Sequence, residues 1–215
     1  MTNNKGMTRR GLIQGSLGVA ALSAAGSLLG AGTPVQTEGP FFPIRPQSDT
    51  DADMTLIEGH TEHALGEVVE ISGRVLDEDG NAVADALVDI WQANTHGRYA
   101  HEADPNPAPL DENFQGWAQL KTDAEGRYRV KTIKPGAYKV ADEWSRPPHI
   151  HFKVARRGFH ELTTQMYFAG DPLNDVDRLL QSVPEGERGM LVVDFKPSSE
   201  PSVAQGRFDL VLRKA

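Results

Sequence analysis

The 215-residue chain contains no cysteine. Disulfides, zinc–thiolate sites, iron–sulfur clusters and thiol nucleophiles are thereby excluded, and any metal must be held by His, Asp, Glu or Tyr. Positive charge is also scarce: 22 Lys and Arg stand against 30 Asp and Glu, a net charge of −8. A nucleic-acid surface needs clustered Lys and Arg to displace counterions, so nucleic acid is not an expected partner. Aromatic residues make up only 7% of the chain, with four tyrosines and three tryptophans. No stretch supplies the ~20 strongly apolar residues of a stable membrane span. What is present, 39% hydrophobic and 24% charged residues, fits a folded domain rather than a disordered or fibrous chain.

Residues 1–33 form a regime of their own. They hold Lys5, Arg9 and Arg10 and no acidic residue, and the next charge is Glu38. A basic start, a short apolar centre (LGVAALSAAGSLLGAG) and small residues at the end describe an export segment. The run Thr8-Arg9-Arg10-Gly11-Leu12-Ile13 resembles a twin-arginine signal, whose arginine pair is read by a receptor that passes folded proteins. The expected mature body is residues 34–215, periplasmic or extracellular, with no stable membrane anchor after processing. Losing the three basic residues takes its net charge to −11.

That body reads as all-β. Val68 to Leu76 alternates apolar and polar residues with period two, as a half-buried strand does. Asp77-Glu78-Asp79-Gly80-Asn81 makes a turn, and Ala86 to Trp91 returns. A second hairpin joins Ala118–Thr122 to Arg127–Val130 through Asp123-Ala124-Glu125-Gly126. Further strands are expected over His149–Ala155, Thr163–Phe168, Met190–Phe195 and Phe208–Arg213. One short helix is expected over Asn174–Ser182, from the spacing of Val176, Leu179 and Leu180. Short strands separated by turns describe a β-sandwich. Residues 92–117 lack periodicity, and a long loop of this kind is often functional.

His149 and His151 lie two apart in an expected strand, so both imidazoles project from one face while Ile150 and Phe152 project from the other. Such a pair, entered through Pro147-Pro148, reads either as a metal chelate or as two partly exposed surface histidines. The remaining histidines are less organised, and no carboxylate is nominated to complete a 2-His-1-carboxylate site. Of the tyrosines, Tyr128 sits in a hairpin strand and reads as core. Tyr99 and Tyr138 lie at strand-to-loop junctions, where a packed phenol and a functional one are equally well explained.

Four motifs occur in order: D-I-W-Q-A-N-T-H-G-R-Y-A-H, T-I-K-P-G-A-Y, E-W-S-R-P-P-H-I-H-F and Q-M-Y-F-A-G-D. With Thr37-Glu38-Gly39-Pro40-Phe41-Phe42-Pro43 ahead of them, the stretch from Gln36 to Leu212 resembles the intradiol ring-cleaving dioxygenases. It is most similar to the iron-bearing β-subunit type of protocatechuate 3,4-dioxygenase. The resemblance implies a transthyretin-like sandwich. It implies one Fe(III) per chain held by Tyr99, Tyr138, His149 and His151, with Tyr99 and His149 equatorial and Tyr138 and His151 axial. Anionic phenolates suit a highly charged iron, and direct coordination is what would keep two phenols of ordinary pKa ~10 ionised. The implied substrates are a catechol-type aromatic and O2, and the implied product is a cis,cis-muconate.

The same resemblance assigns Tyr138 as the ligand that gives way to substrate and takes its proton. Arg146 stabilises negative charge on the ring, and Gln165 and Tyr167 line the pocket. Val140 stands where β subunits of this type carry a tryptophan, and the stretch from Tyr138 to His149 is two residues shorter, so a remodelled pocket wall is expected. A homo-oligomer or an α-like partner subunit is expected by the same likeness. The competing reading is a non-catalytic sandwich of the same fold that binds without iron, because fold does not fix function.

Overall fold

The computed structural model describes residues 1, 32–47, 49–198 and 203–215. The expected export segment therefore lies almost wholly outside the described residues. Among those residues, no helix is long and apolar enough to cross a membrane.

Two five-stranded sheets form the body. In the first, β1 (Val68–Asp77) is flanked by antiparallel β4 (Arg127–Ile133), and by β11 (Ala204–Arg207) and β12 (Leu210–Leu212), both parallel to it; β10 (Lys196–Pro197) extends the β11 edge. The second runs β3 (Trp117–Lys121), β2 (Leu87–Trp91), β7 (His149–Ala155), β8 (Leu162–Phe168), β9 (Val192–Val193). Val69, Ile71, Val75 and Val130 from one sheet and Ile90, Ile150, Phe152 and Val154 from the other are at most 1% exposed. The Phe152 ring meets Phe208 at 5.0 Å and Tyr128 at 6.1 Å, which closes the sandwich. The period-two pattern is what produces this core: Val69 and Ile71 in β1, Val88 and Ile90 in β2, and Ile150, Phe152 and Val154 in β7 are alternate residues, apolar and driven inward.

With Ile150, Phe152 and Val154 turned to the core, His149, His151 and Lys153 must share the opposite face of β7. Pairing brings Tyr167 opposite His149, and brings Gln165 and Trp91 opposite His151. Residues 36–42 and Tyr99 of the 92–116 loop pack on that outer face. The N-terminal strap is stitched on by hydrogen bonds from Gln165 Nε2 to the Thr37 carbonyl (2.9 Å) and from the Tyr167 hydroxyl to Gln36 Oε1 (2.9 Å). Lys153 Nζ adds a bond to Glu38 Oε2 at 2.9 Å.

The expected single helix over Asn174–Ser182 is corrected. A 3-10 turn (Pro172–Asp175) is followed by α1 (Arg178–Gln181) and α2 (Glu185–Arg188). Asp177 interrupts the run because its backbone is extended (φ −71, ψ 116), leaving its carboxylate to accept from Leu180 N and cap α1. Val176, expected on the packed side, is 64% exposed. The strands expected over Met190–Phe195 and Phe208–Arg213 shorten to β9 and β12. A small hairpin, β5 (Tyr138–Ala141) with β6 (Trp144–Arg146), forms where none was expected.

Candidate metal centre and cavity

His149 and His151 are 2% and 3% exposed, so they are not surface histidines. Nδ1 of His149 donates to the Pro147 carbonyl at 2.7 Å, which leaves Nε2 as a lone-pair donor aimed into the site. His151 is held by the Trp91 indole, stacked on it at 4.7 Å and 13°.

The two tyrosines arrive on separate loops that touch backbone to backbone. Gly97 has φ +76°, and a Cβ there would lie 2.5 Å from the Ala137 carbonyl oxygen. A Cβ on Gly136 would lie 2.4 Å from the Thr95 oxygen. Only glycine permits both contacts, and they bring the Tyr99 and Tyr138 rings to 5.8 Å. Asn94 fixes the first loop, its Oδ1 accepting from His96 N and Arg98 N, and Asp104 accepts from Tyr99 N at 2.7 Å.

The hydroxyl of Tyr99 lies 3.1 Å from His151 Nε2 and 3.3 Å from His149 Nε2, and that of Tyr138 lies 3.5 Å from His149 Nε2. Four donor atoms thus converge from three segments of the chain, the 92–116 loop, β5 and β7. Burial raises the phenol of Tyr99 well above its ordinary value, and that of Tyr138 above it. Burial, followed by the nearby charge of Arg146, pushes His149 well below 6.5 and His151 down to about 3. The imidazoles are therefore held neutral, the state that coordinates, while ionising the phenols calls for a strong cation. The donor set fits a hard trivalent ion such as Fe(III). Among the described residues, no group of three His, Asp or Glu forms an alternative metal site.

Arg146 is 4% exposed and fully engaged. Nε donates to Asp177 Oδ1 (2.9 Å), and Nη2 donates to Gln165 Oε1 (2.7 Å), the Tyr167 hydroxyl (3.1 Å) and Asp177 Oδ2 (3.3 Å). Burial opposes its charge, but Tyr167 and Asp177 outweigh it and raise its pKa. Gln165 and Tyr167, expected along the pocket, are 0% exposed and stand behind Arg146, which they orient. Val140 does line the cavity beside the donors, a space of about 880 Å³ that also reaches Tyr138, Arg146 and His151. Asp177, Trp91 and Gln36 were not anticipated. Trp91 lay within a motif, but nothing in the sequence places Asp177 or Gln36 beside the site.

A family model described as Dioxygenase matches residues 37–214. The chain is 45% identical over 180 residues to the protocatechuate 3,4-dioxygenase beta chain of Burkholderia cepacia, covering 81% of this chain and 76% of that one. It is 33% identical to the catechol 1,2-dioxygenase of Acinetobacter baylyi over 79% of this chain, but spans only 55% of that longer relative. Among solved structures, 3-chlorocatechol 1,2-dioxygenase from Rhodococcus opacus superposes with a TM-score of 0.68 at 25% identity, covering 86% and 73% of the two chains. The dioxygenase domain of a dioxygenase–carbohydrate-binding fusion from Streptomyces sp. SirexAA-E gives 0.65 at 29% identity, covering 86% of this chain and all of that one. On this evidence the chain belongs to the intradiol ring-cleaving dioxygenase family.

Proposed function

We propose that this protein is a non-haem ferric dioxygenase that opens a catechol-type ring between its two hydroxyls with O2, giving a cis,cis-muconate. The convergence of Tyr99, Tyr138, His149 and His151 within 3.1–3.5 Å carries the reading. One Fe(III) per chain, held by these four side chains, would activate the bound catecholate toward O2. Tyr138, the more exposed of the two phenols, would help hold the metal and is the group placed to take a substrate hydroxyl proton at its phenol oxygen. Arg146 presents a fixed positive charge beside the ring, pre-oriented by Gln165, Tyr167 and Asp177, so no reorganisation is needed as charge develops. Protocatechuate, the substrate in the beta chain's name, is the comparison against which the ring substituent is tested.

An α-like partner subunit or a homo-oligomer is proposed from the same likeness, and export through a twin-arginine route from Arg9-Arg10. Purified protein should be red-brown and contain stoichiometric iron, and its product should be a muconate by mass and ultraviolet spectrum. Stoichiometric zinc, or a yellow semialdehyde from cleavage beside the hydroxyls, overturns the reading. A colourless, metal-free protein after iron-replete expression supports the binding module instead.

A further inference from the structure

Building on that reading, we propose that the ring cleaved by this protein carries an extended, neutral substituent, an aryl or alkyl group, rather than a carboxylate. The cavity beside Tyr138 and His151 measures about 880 Å³. Cavities of roughly 300–1,000 Å³ bury drug-sized ligands, so a single dihydroxybenzene leaves most of this one to whatever the ring bears. The walls away from the donor atoms are largely apolar, with Phe41, Pro105, Pro107, Val140 and Leu179. Val140 is 48% exposed, leaving an uncovered apolar surface for a substituent to bury.

Charge points the same way. Lys139 and Arg146 are the cations on these walls, and each already has its carboxylate. Lys139 Nζ lies 3.0 Å from Asp142 Oδ1, and Arg146 Nε lies 2.9 Å from Asp177 Oδ1. Asp104 adds a third carboxylate to the surroundings, and the whole chain carries −8. A ring carboxylate drawn to Lys139 would meet Asp142 and stay in solvent, where such an exposed pairing contributes little. A neutral apolar group gains by leaving water against Val140, Leu179 and Phe41.

The test is a binding and turnover comparison on the iron-loaded protein with catechol, protocatechuate and 4-phenylcatechol. Calorimetry without oxygen gives affinities, and product analysis in air gives kcat/KM. The aryl catechol should bind at least about tenfold more tightly than protocatechuate and show the higher kcat/KM. Equal or tighter binding of protocatechuate overturns the proposal. Val140→Trp should lower affinity for 4-phenylcatechol relative to catechol by about tenfold or more, and an unchanged ratio counts against it. If the binding order holds but none of the three rings opens, the cavity preference stands and the ring-cleavage reading falls.

Discussion

Arg146 and Asp177 form an ion pair with Nε and Oδ1 2.9 Å apart and side chains 5% and 0% exposed, the most deeply buried pair among the described residues. The same carboxylate accepts from Trp144 Nε1 at 3.3 Å and from Leu180 N at 3.1 Å. One side chain thus ties the cavity wall on β6 to the start of α1.

Removing it should be costly. Asp177→Ala strands a buried guanidinium and uncaps α1, and breaking such a pair destabilises by about 3–5 kcal/mol. Urea denaturation should show a clear fall in midpoint. Asp177→Asn keeps a hydrogen-bond acceptor and should fall between the two. A midpoint for the alanine variant close to the parent would mean that solvent reaches Arg146.

His149→Ala and His151→Ala should each abolish stoichiometric iron and the visible band. Their side chains project away from the sandwich core, so far-ultraviolet circular dichroism should stay close to that of the parent. Loss of activity should exceed the roughly 10–100-fold typical of supporting residues around a metal. Global unfolding in both variants would make these histidines structural.

The metal-free protein should lose stability in mild acid. His151 titrates near 3 when folded, because of burial and then Arg146, against an ordinary 6.5. Between those values the unfolded chain binds the proton and the folded chain does not, so stability is full above 6.5 and falls as pH drops toward 3. His149, lowered for the same first two reasons, adds to the slope. Asp77, held at about 2 chiefly by its hydrogen bond from Asn81, acts below its ordinary 3.8, under the pH range of the measurement that follows. Urea midpoints of metal-free protein at pH 6.5, 5.5 and 4.5 should fall in order, and His151→Gln should make the slope shallower. A flat series refutes the assignment.

The strands that carry the histidines were legible because alternation is a local signal: Ile150 and Phe152 declare which face is core, and His149 and His151 follow. The strap and the Arg146 network were not legible. Gln36 sits in a polar stretch, and its partner Tyr167 is 131 residues away. Asp177 falls inside the helix expected over Asn174–Ser182, and no pattern marks a carboxylate that will cap one element while neutralising another. The β5–β6 hairpin escaped for the opposite reason. Lys139, Val140 and Ala141 are all exposed, so no alternation is present to read.

Export should depend on the arginine pair itself. Replacing Arg9 and Arg10 by Lys preserves charge but removes what the receptor reads, so the protein should accumulate in the cytoplasm. Cell fractionation with an immunoblot decides it. Unchanged export of that variant would indicate a general secretory signal.

The strap sets an order of events in the life of the chain. Gln36 and Thr37 leave the ribosome early, but their hydrogen-bond partners Tyr167 and Gln165 come 131 and 128 residues later. The roof of the metal centre therefore cannot close while the chain is still short, and contacts so far apart in sequence form slowly.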